Sequence, residues 1–276
     1  MLENSESTQL QQLQATLAAW HTNRFSFVPD AAWIAAYRKA FEKALKAERR
    51  VRIETPPLYE NEIASASWLR NANWETFYKK VLEGLQQNNR TASSYLDVLG
   101  AAHDRLPLPW KVSDFNDLEL RRIILGIKQY GWLGHIGASG GFQKLLSKGK
   151  QQQRQTIADT INAIGSLSPP LEWNRLAELL KKLVRLGPTM KVWSRLLCLV
   201  RPKLYCTTAS IPVRANLSKT LKLPQTSFQQ PAGYIELLKL LHSSPWFNSR
   251  GPSEEAERRV WLHRAAFMDA IFYTKP

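Results

Sequence analysis

The residues able to do chemistry are few, and their spacing suits catalysis poorly. His21, His103, His135, His242 and His263 are scattered, with no HxxxH or HExxH spacing to set two imidazoles on one helix face for a zinc ion. Cys198 and Cys206 form no CxxC or Cys/His metal pattern and are too few for a disulfide framework. Cys198 falls in an apolar helical pattern and reads as a core thiol, while Cys206 has Lys203 three residues away but no neighbouring base to hold it as a thiolate. His103-Asp104 and Asp114, Asp117 and Glu119 are the only acidic groupings with the composition of a Mg²⁺ site, and the second is better explained as helix-start chemistry. No PD…(D/E)xK nuclease pattern is convincing. The residues therefore predict no metal, no cofactor and no identifiable catalytic group.

Charge is the stronger signal. The chain of 276 residues carries a formal net charge of +15, which suggests a polyanionic partner. Residues 1–120 hold 14 basic and 15 acidic side chains, and residues 223–276 hold 6 and 5. Residues 121–222 hold 18 basic and 3 acidic, and so carry the whole excess. Within that region Arg175–Lys222 has eleven Lys/Arg and one acid, Glu178.

That stretch, opening at Asn174, reads as two amphipathic helices joined by a Leu-Gly-Pro hairpin, then a Pro-broken connector and a third helix. Leu176, Leu179, Leu180, Leu183 and Val184 form the apolar face of the first helix, leaving Lys181, Lys182 and Arg185 off it. Val192, Trp193, Leu196, Leu197 and Val200 form that of the second, with Lys191, Ser194 and Arg195 expected beside the hairpin. Gly187 suits the turn and Pro188 the first helical position. A glycine there lets backbone amides approach a phosphate, and the following helix N-terminus supports its charge. Backbone contacts are expected from Lys181, Lys182, Arg185, Gly187, Lys191 and Arg195, with Arg201, Lys203, Arg214 and Lys219 extending the track.

Over roughly 50 of the 276 residues, about 174–223, the chain resembles the helix–hairpin–helix superfamily of base-excision DNA glycosylases. Arg185-Leu-Gly-Pro-Thr189 stands where that family writes its Gly-hydrophobic-Gly hairpin. Arg201-Pro-Lys-Leu-Tyr205 and Ile211-Pro-Val-Arg-Ala-Asn-Leu217 follow the spacing of its connector and next helix. The departures fall on the chemistry. The family's first hairpin glycine is Arg185 here, its lyase lysine falls at Thr189, and its catalytic aspartate falls near Ser210. Lys191 is displaced by two residues, a turn of about 200° on a helix. Without the carboxylate that supports an oxocarbenium-like state or activates a nucleophile, the resemblance implies DNA grip more than base removal. The C-terminal pattern SSPWF…EEAERRVWLHRAAFMDAIFY is similar to small proteins of bacterial restriction or anti-phage systems, which implies an accessory or sensor subunit.

The remaining sequence supplies a helical frame. Amphipathic spacing predicts helices over residues 1–20, Ala31–Arg50, Trp68–Leu85, Thr91–Ala101, a segment opening at the capping-box pattern Asn116…Glu119, Gln151–Ile164 and Tyr234–His242, and a last one capped by Ser253. Only residues 51–62 could hold a strand, and Pro56-Pro57 stops it. The basic excess of Ala31–Arg50 is balanced by nearby acids and reads as a solvated face. Glycines 131, 134, 137, 140 and 141 could bare amides to a phosphate, but the segment matches neither the P-loop nor GxGxxG, and a close-packed turn is the preferred reading. Tyr130, Trp132, Phe142, Trp193 and Tyr205 could stack on bases, though most are expected in the core, like most of the ten tryptophans.

The expected fold is therefore all-α, a compact multi-helix domain with a helix–hairpin–helix-like element. Leu106-Pro-Leu-Pro-Trp110 divides an N-terminal helical subdomain, 1–110, from a basic one, 111–276. The polar, acidic N-terminus does not read as a signal peptide and no apolar run is long enough to span a membrane, so the expected setting is cytoplasmic. The expected function is non-catalytic binding of nucleic acid, duplex DNA in particular, with protein subunits of a larger complex as further expected partners. A divergent DNA glycosylase or other DNA-processing enzyme, and a scaffold whose basic face docks an acidic partner, are the alternatives.

Overall fold

A buried connector, Leu204–Ser210, runs through the interior, bonded by Ser194, Arg214 and Tyr234 and packed against Gly134. The computed structural model describes residues 68–134 and 140–274, whose regular elements are all helical, with no strand among them. The helices expected over residues 1–20 and 31–50, and the extended segment 51–62, lie outside the described residues.

In chain order the α-helices are α1 (Trp68–Asn71), α2 (Trp74–Gln87), α3 (Ala92–Arg105), α4 (Leu118–Leu125), α5 (Gly140–Lys148) and α6 (Gln151–Gly165). Then come α7 (Trp173–Val184), α8 (Met190–Val200), α9 (Ile211–Leu221), α10 (Pro231–Ser243), α11 (Glu255–Leu262) and α12 (Met268–Phe272). Three 3-10 turns, Val112–Asn116, Lys128–Trp132 and Gln225–Gln229, join them. All belong to one compact unit, Pro56–Pro276. Side chains from both sides of residue 110 line one continuous core, from Leu69 to Phe272.

Helix ends differ from the expected ones where a neighbouring polar side chain caps better. The expected helix from Trp68 breaks at Ala72-Asn73, because the Asn73 side chain accepts from Thr76 N and restarts the chain as α2. Asp117, not Asn116, caps α4, accepting from the amides of Glu119 and Leu120, and Glu119 instead accepts from the Tyr130 hydroxyl. Glu254 caps α11 in place of Ser253, and the last expected helix is interrupted after Leu262, giving α11 and α12. An ionised carboxylate outcompetes a neutral hydroxyl or amide one residue away, since it also meets the helix dipole.

Helix α8 is the centre of the domain: Met190 and every residue from Val192 to Leu199 are buried. The connector that follows cannot pair as a strand, so its polar groups find side chains. Thr208 N donates to Ser194 Oγ at 2.9 Å, the Tyr234 hydroxyl donates to Cys206 O at 2.7 Å, and Arg214 donates to Thr208 O and Ala209 O at 2.6 Å each. This meets the demand that buried main-chain groups be hydrogen-bonded.

Helices α2 and α12 cross at Gly84, where a Cβ would stand 2.2 Å from Ala270 O. Because the obstacle is backbone, Gly84→Ala is expected to cost at the upper end of the overpacking range, about 1–3 kcal/mol. At Gly100 in α3 a Cβ meets nothing within 4 Å, so Gly100→Ala is expected to stabilise by up to about 1 kcal/mol through helix propensity. Urea denaturation of the two variants checks both signs.

Candidate nucleic-acid interface

The hairpin between α7 and α8 is a surface feature built on a buried anchor. Leu176, Leu179, Leu180 and Leu183 bury one face of α7, which leaves Lys182 and Arg185 exposed on the other. Trp193, fully buried, donates its indole N–H to Pro188 O at 2.9 Å and so fixes the turn to the core. Gly187 takes φ +112°, which side-chain-bearing residues rarely adopt, and has open space around its Cα. Thr189 precedes α8 in extended conformation, with a buried hydroxyl that has no hydrogen-bond partner among the described residues.

The electrostatics of the turn are one-sided. Glu178 is its single acid, and it pairs with Lys181 at 2.8 Å, which holds the Glu178 carboxyl below its usual value. Lys182, Arg185 and the half-buried Lys191 make no hydrogen bond or ion pair from their side chains among the described residues. Lys181, Lys182 and Arg185 also sit at the C-terminal end of α7, where cations complement the helix dipole, whereas Lys191 stands in the first turn of α8. That accounts for the place of the α7 cations but leaves Lys182 and Arg185 exposed and Lys191 half-exposed, all without a counter-charge among the described residues.

The structure does not bring all ten expected contacts together. Lys181, Lys182, Arg185, Gly187 and Lys191 share the hairpin. Arg201 and Lys203 lie beyond the other end of α8, about 15 Å along its axis from Lys191 at 1.5 Å per residue. Lys219, exposed, is in the last turn of α9.

Arg195 and Arg214 are corrections. Arg195 is 0% exposed and donates to Ile124 O (2.9 Å), Ile123 O (2.9 Å), Tyr130 O (2.7 Å), Leu133 O and Gly134 O. It thus closes the C-terminus of α4 and the 3-10 turn after it. Burial pulls its guanidinium down to about 10, so it stays charged at neutral pH. Arg214 is buried against the connector carbonyls, and burial lowers it too. Neither can reach a phosphate. Ser194, expected beside the hairpin, is buried and bonds Thr208.

The other sites considered in the sequence take structural places. Gly134 packs against Thr207 and Ala209, where a Cβ would approach to 2.9 Å, so this part of the Gly-rich segment is a close-packed turn; residues 135–139 lie outside the described residues. Phe142, Trp193 and Tyr205 are core side chains, and Tyr130 donates its hydroxyl to Glu119 at 2.5 Å. Both cysteines are free and buried, and burial pushes the Cys206 thiol up to about 12 and Cys198 well above its usual value. His242 bonds Leu204 O and His263 bonds Arg259 O, with burial lowering both imidazoles. Ser210, standing where the glycosylase aspartate falls, caps α9 through Val213 N. No group of three or more His, Cys, Asp or Glu among the described residues could hold a metal ion.

A groove of about 890 Å³ lies at the other end of α7, lined by Pro169, Pro170, Trp173, His242 and Phe247 among others. Periodicity gave no sign of it, because its walls come from three separate segments. Glu236 is paired with Lys239 there at 2.9 Å and His242 with a carbonyl, so the groove offers ring faces, not an acid–base pair.

No protein-family model, curated protein or solved structure matches this chain. Among the described residues, no helix is long and apolar enough to cross a membrane.

Proposed function

We propose that this protein binds duplex DNA without base specificity through the α7–α8 hairpin, as a non-catalytic helix–hairpin–helix element. The observation that carries the reading is the open Gly187 turn, flanked by Lys182, Arg185 and Lys191 with no acid left over for them. The Leu186 and Gly187 amides are spent on Leu183 O and Val184 O, so the phosphate is approached by the first amides of α8 across the open turn, and the cations add contacts that release counterions from the duplex. The absence of a carboxylate at Ser210 and of a lysine at Thr189 argues against glycosylase chemistry at this element. A place in a bacterial defence complex rests on the C-terminal sequence resemblance alone.

Fluorescence anisotropy with a labelled random duplex across a salt series tests the proposal. Each phosphate neutralised contributes about −0.9 to the slope of log K against log salt. The triple variant Lys182/Arg185/Lys191→Ala is expected to flatten the slope by about 2–3 units while keeping the wild-type melting temperature, since all three side chains reach solvent. An unchanged slope places any DNA elsewhere on the basic region. Absence of wild-type binding, with stable co-purification of an acidic protein, makes the basic face a docking surface for that partner.

A further inference from the structure

A second set of cations gathers at the far end of α8 without an acid. Arg201 closes the helix and donates to Gly165 O at the end of α6. Arg264 is buried, donating to Phe247 O at 2.7 Å and Trp261 O at 3.0 Å, with its guanidinium 4.5 Å and 4.6 Å from the Phe247 and Trp261 ring centroids. The Lys203 ammonium lies 5.3 Å from the Trp261 ring centroid, on an exposed side chain. Burial, then Arg264 and Arg201, hold Lys203 below its usual value, and no carboxylate contributes to that shift.

Two of the three have structural employment, capping carbonyls as Arg195 does. Lys203 does not: it donates to no protein atom among the described residues. An exposed ammonium held beside two fixed guanidiniums is repelled by them, and an anion bridging the group would relieve the repulsion. The Lys203 ammonium supplies the donors and the two guanidiniums, held on carbonyls, supply fixed positive charge behind it, which suits a doubly charged oxyanion better than a carboxylate.

We propose that Lys203, backed by Arg201 and Arg264, is a second phosphate-binding site, distinct from the hairpin. At about 15 Å from Lys191 along α8, a single phosphate cannot touch both. The phosphate can belong to a nucleic-acid backbone already held at the hairpin, or to a free phosphorylated molecule.

The test uses the full chain as wild type, Lys203→Gln and Lys203→Arg, with the hairpin triple variant as comparison. Inorganic pyrophosphate is titrated by calorimetry and the random duplex by anisotropy across salt. Lys203→Gln is expected to weaken pyrophosphate binding at least tenfold and Lys203→Arg to restore it, while the hairpin variant leaves it unchanged. A loss of about 0.9 in duplex salt slope from Lys203→Gln assigns the phosphate to nucleic acid. An unchanged slope with lost pyrophosphate binding assigns it to a small phosphorylated ligand. If Lys203→Gln alters neither pyrophosphate binding nor the duplex slope, the site does not exist. Failure of the hairpin reading shows separately, as an unchanged slope in the triple variant.

Discussion

Arg195→Met is expected to destabilise the fold by about 3–5 kcal/mol and to leave the salt dependence of DNA binding alone. The substitution removes donors from five carbonyls that converge on one buried guanidinium. Each buried carbonyl left without a partner costs about 1–3 kcal/mol. Two terms offset part of the loss: Ile123 O keeps the Gly126 amide, and the protein no longer has to desolvate a cation. For a domain of this size the net loss lowers the melting temperature by about 10 °C. Arg195→Lys keeps the charge but not the planar fork that reaches both the end of α4 and the turn beyond it, so it is expected to recover only part of the stability. The measurement is thermal unfolding by circular dichroism beside the anisotropy salt series. A variant that melts like wild type while losing one unit of salt slope makes Arg195 a phosphate contact after all and refutes its role as an internal cap.

The error in placing Arg195 at the surface has an identifiable physical source. The amphipathic pattern of α7 is read correctly because its leucines recur at i, i+3, i+4 and i+7, and all four from Leu176 to Leu183 are buried. Helix α8 is different in kind. With Val192, Trp193, Leu196, Leu197, Cys198 and Leu199 it is apolar around nearly its whole circumference, and such a helix is buried on all sides. An arginine in its middle must then be buried as well, which is the signal that residue type alone obscured. Its partners cannot be read locally, since Ile124 is 71 residues away in sequence. The same holds for the caps: one-residue choices such as Asp117 over Asn116 depend on tertiary competition for each carboxylate.

This changes what the charge segregation means. Of the cations between residues 121 and 222, Arg154, Arg195, Arg201 and Arg214 all donate to main-chain carbonyls. Helices that end inside a protein leave unpaired carbonyls, and arginine is the side chain that can satisfy several at once while complementing the helix dipole. A strongly basic segment in an all-α domain is therefore partly an inventory of interior carbonyls, at helix ends for Arg195 and Arg201 and in a turn and the connector for Arg154 and Arg214. What remains at the surface is smaller than the +15 total suggests, and it is spread over the hairpin, Lys203, the lysines Lys144, Lys148 and Lys150, and Lys219 and Lys222.

The second large effect belongs to Asp269, which sits 0% exposed at the start of α12. The Tyr95 hydroxyl donates to Oδ2 at 3.0 Å, Arg90 stands 3.8 Å from the same oxygen, and Oδ1 has no partner. Burial pushes the carboxyl up to about 6, against the opposing pull of Tyr95, Arg90 and Arg195, because the orphaned oxygen leaves the anion only half solvated. The folded state therefore binds this proton more tightly than the unfolded chain, whose aspartate titrates near 3.9. The contribution to stability is complete below that value and is lost as pH rises through 6, a change of about 3 kcal/mol. Glu83, Glu119, Glu178 and Glu254 act in the opposite sense, since partners hold each below its usual value. The test is accordingly a difference. Asp269→Asn keeps the acceptor for Tyr95, and urea unfolding of both proteins from pH 4 to pH 7 should show wild type losing about 2 kcal/mol relative to the variant. A constant difference across that range would mean that Asp269 is ionised throughout and that Arg90, despite its 3.8 Å separation, is its full counter-charge.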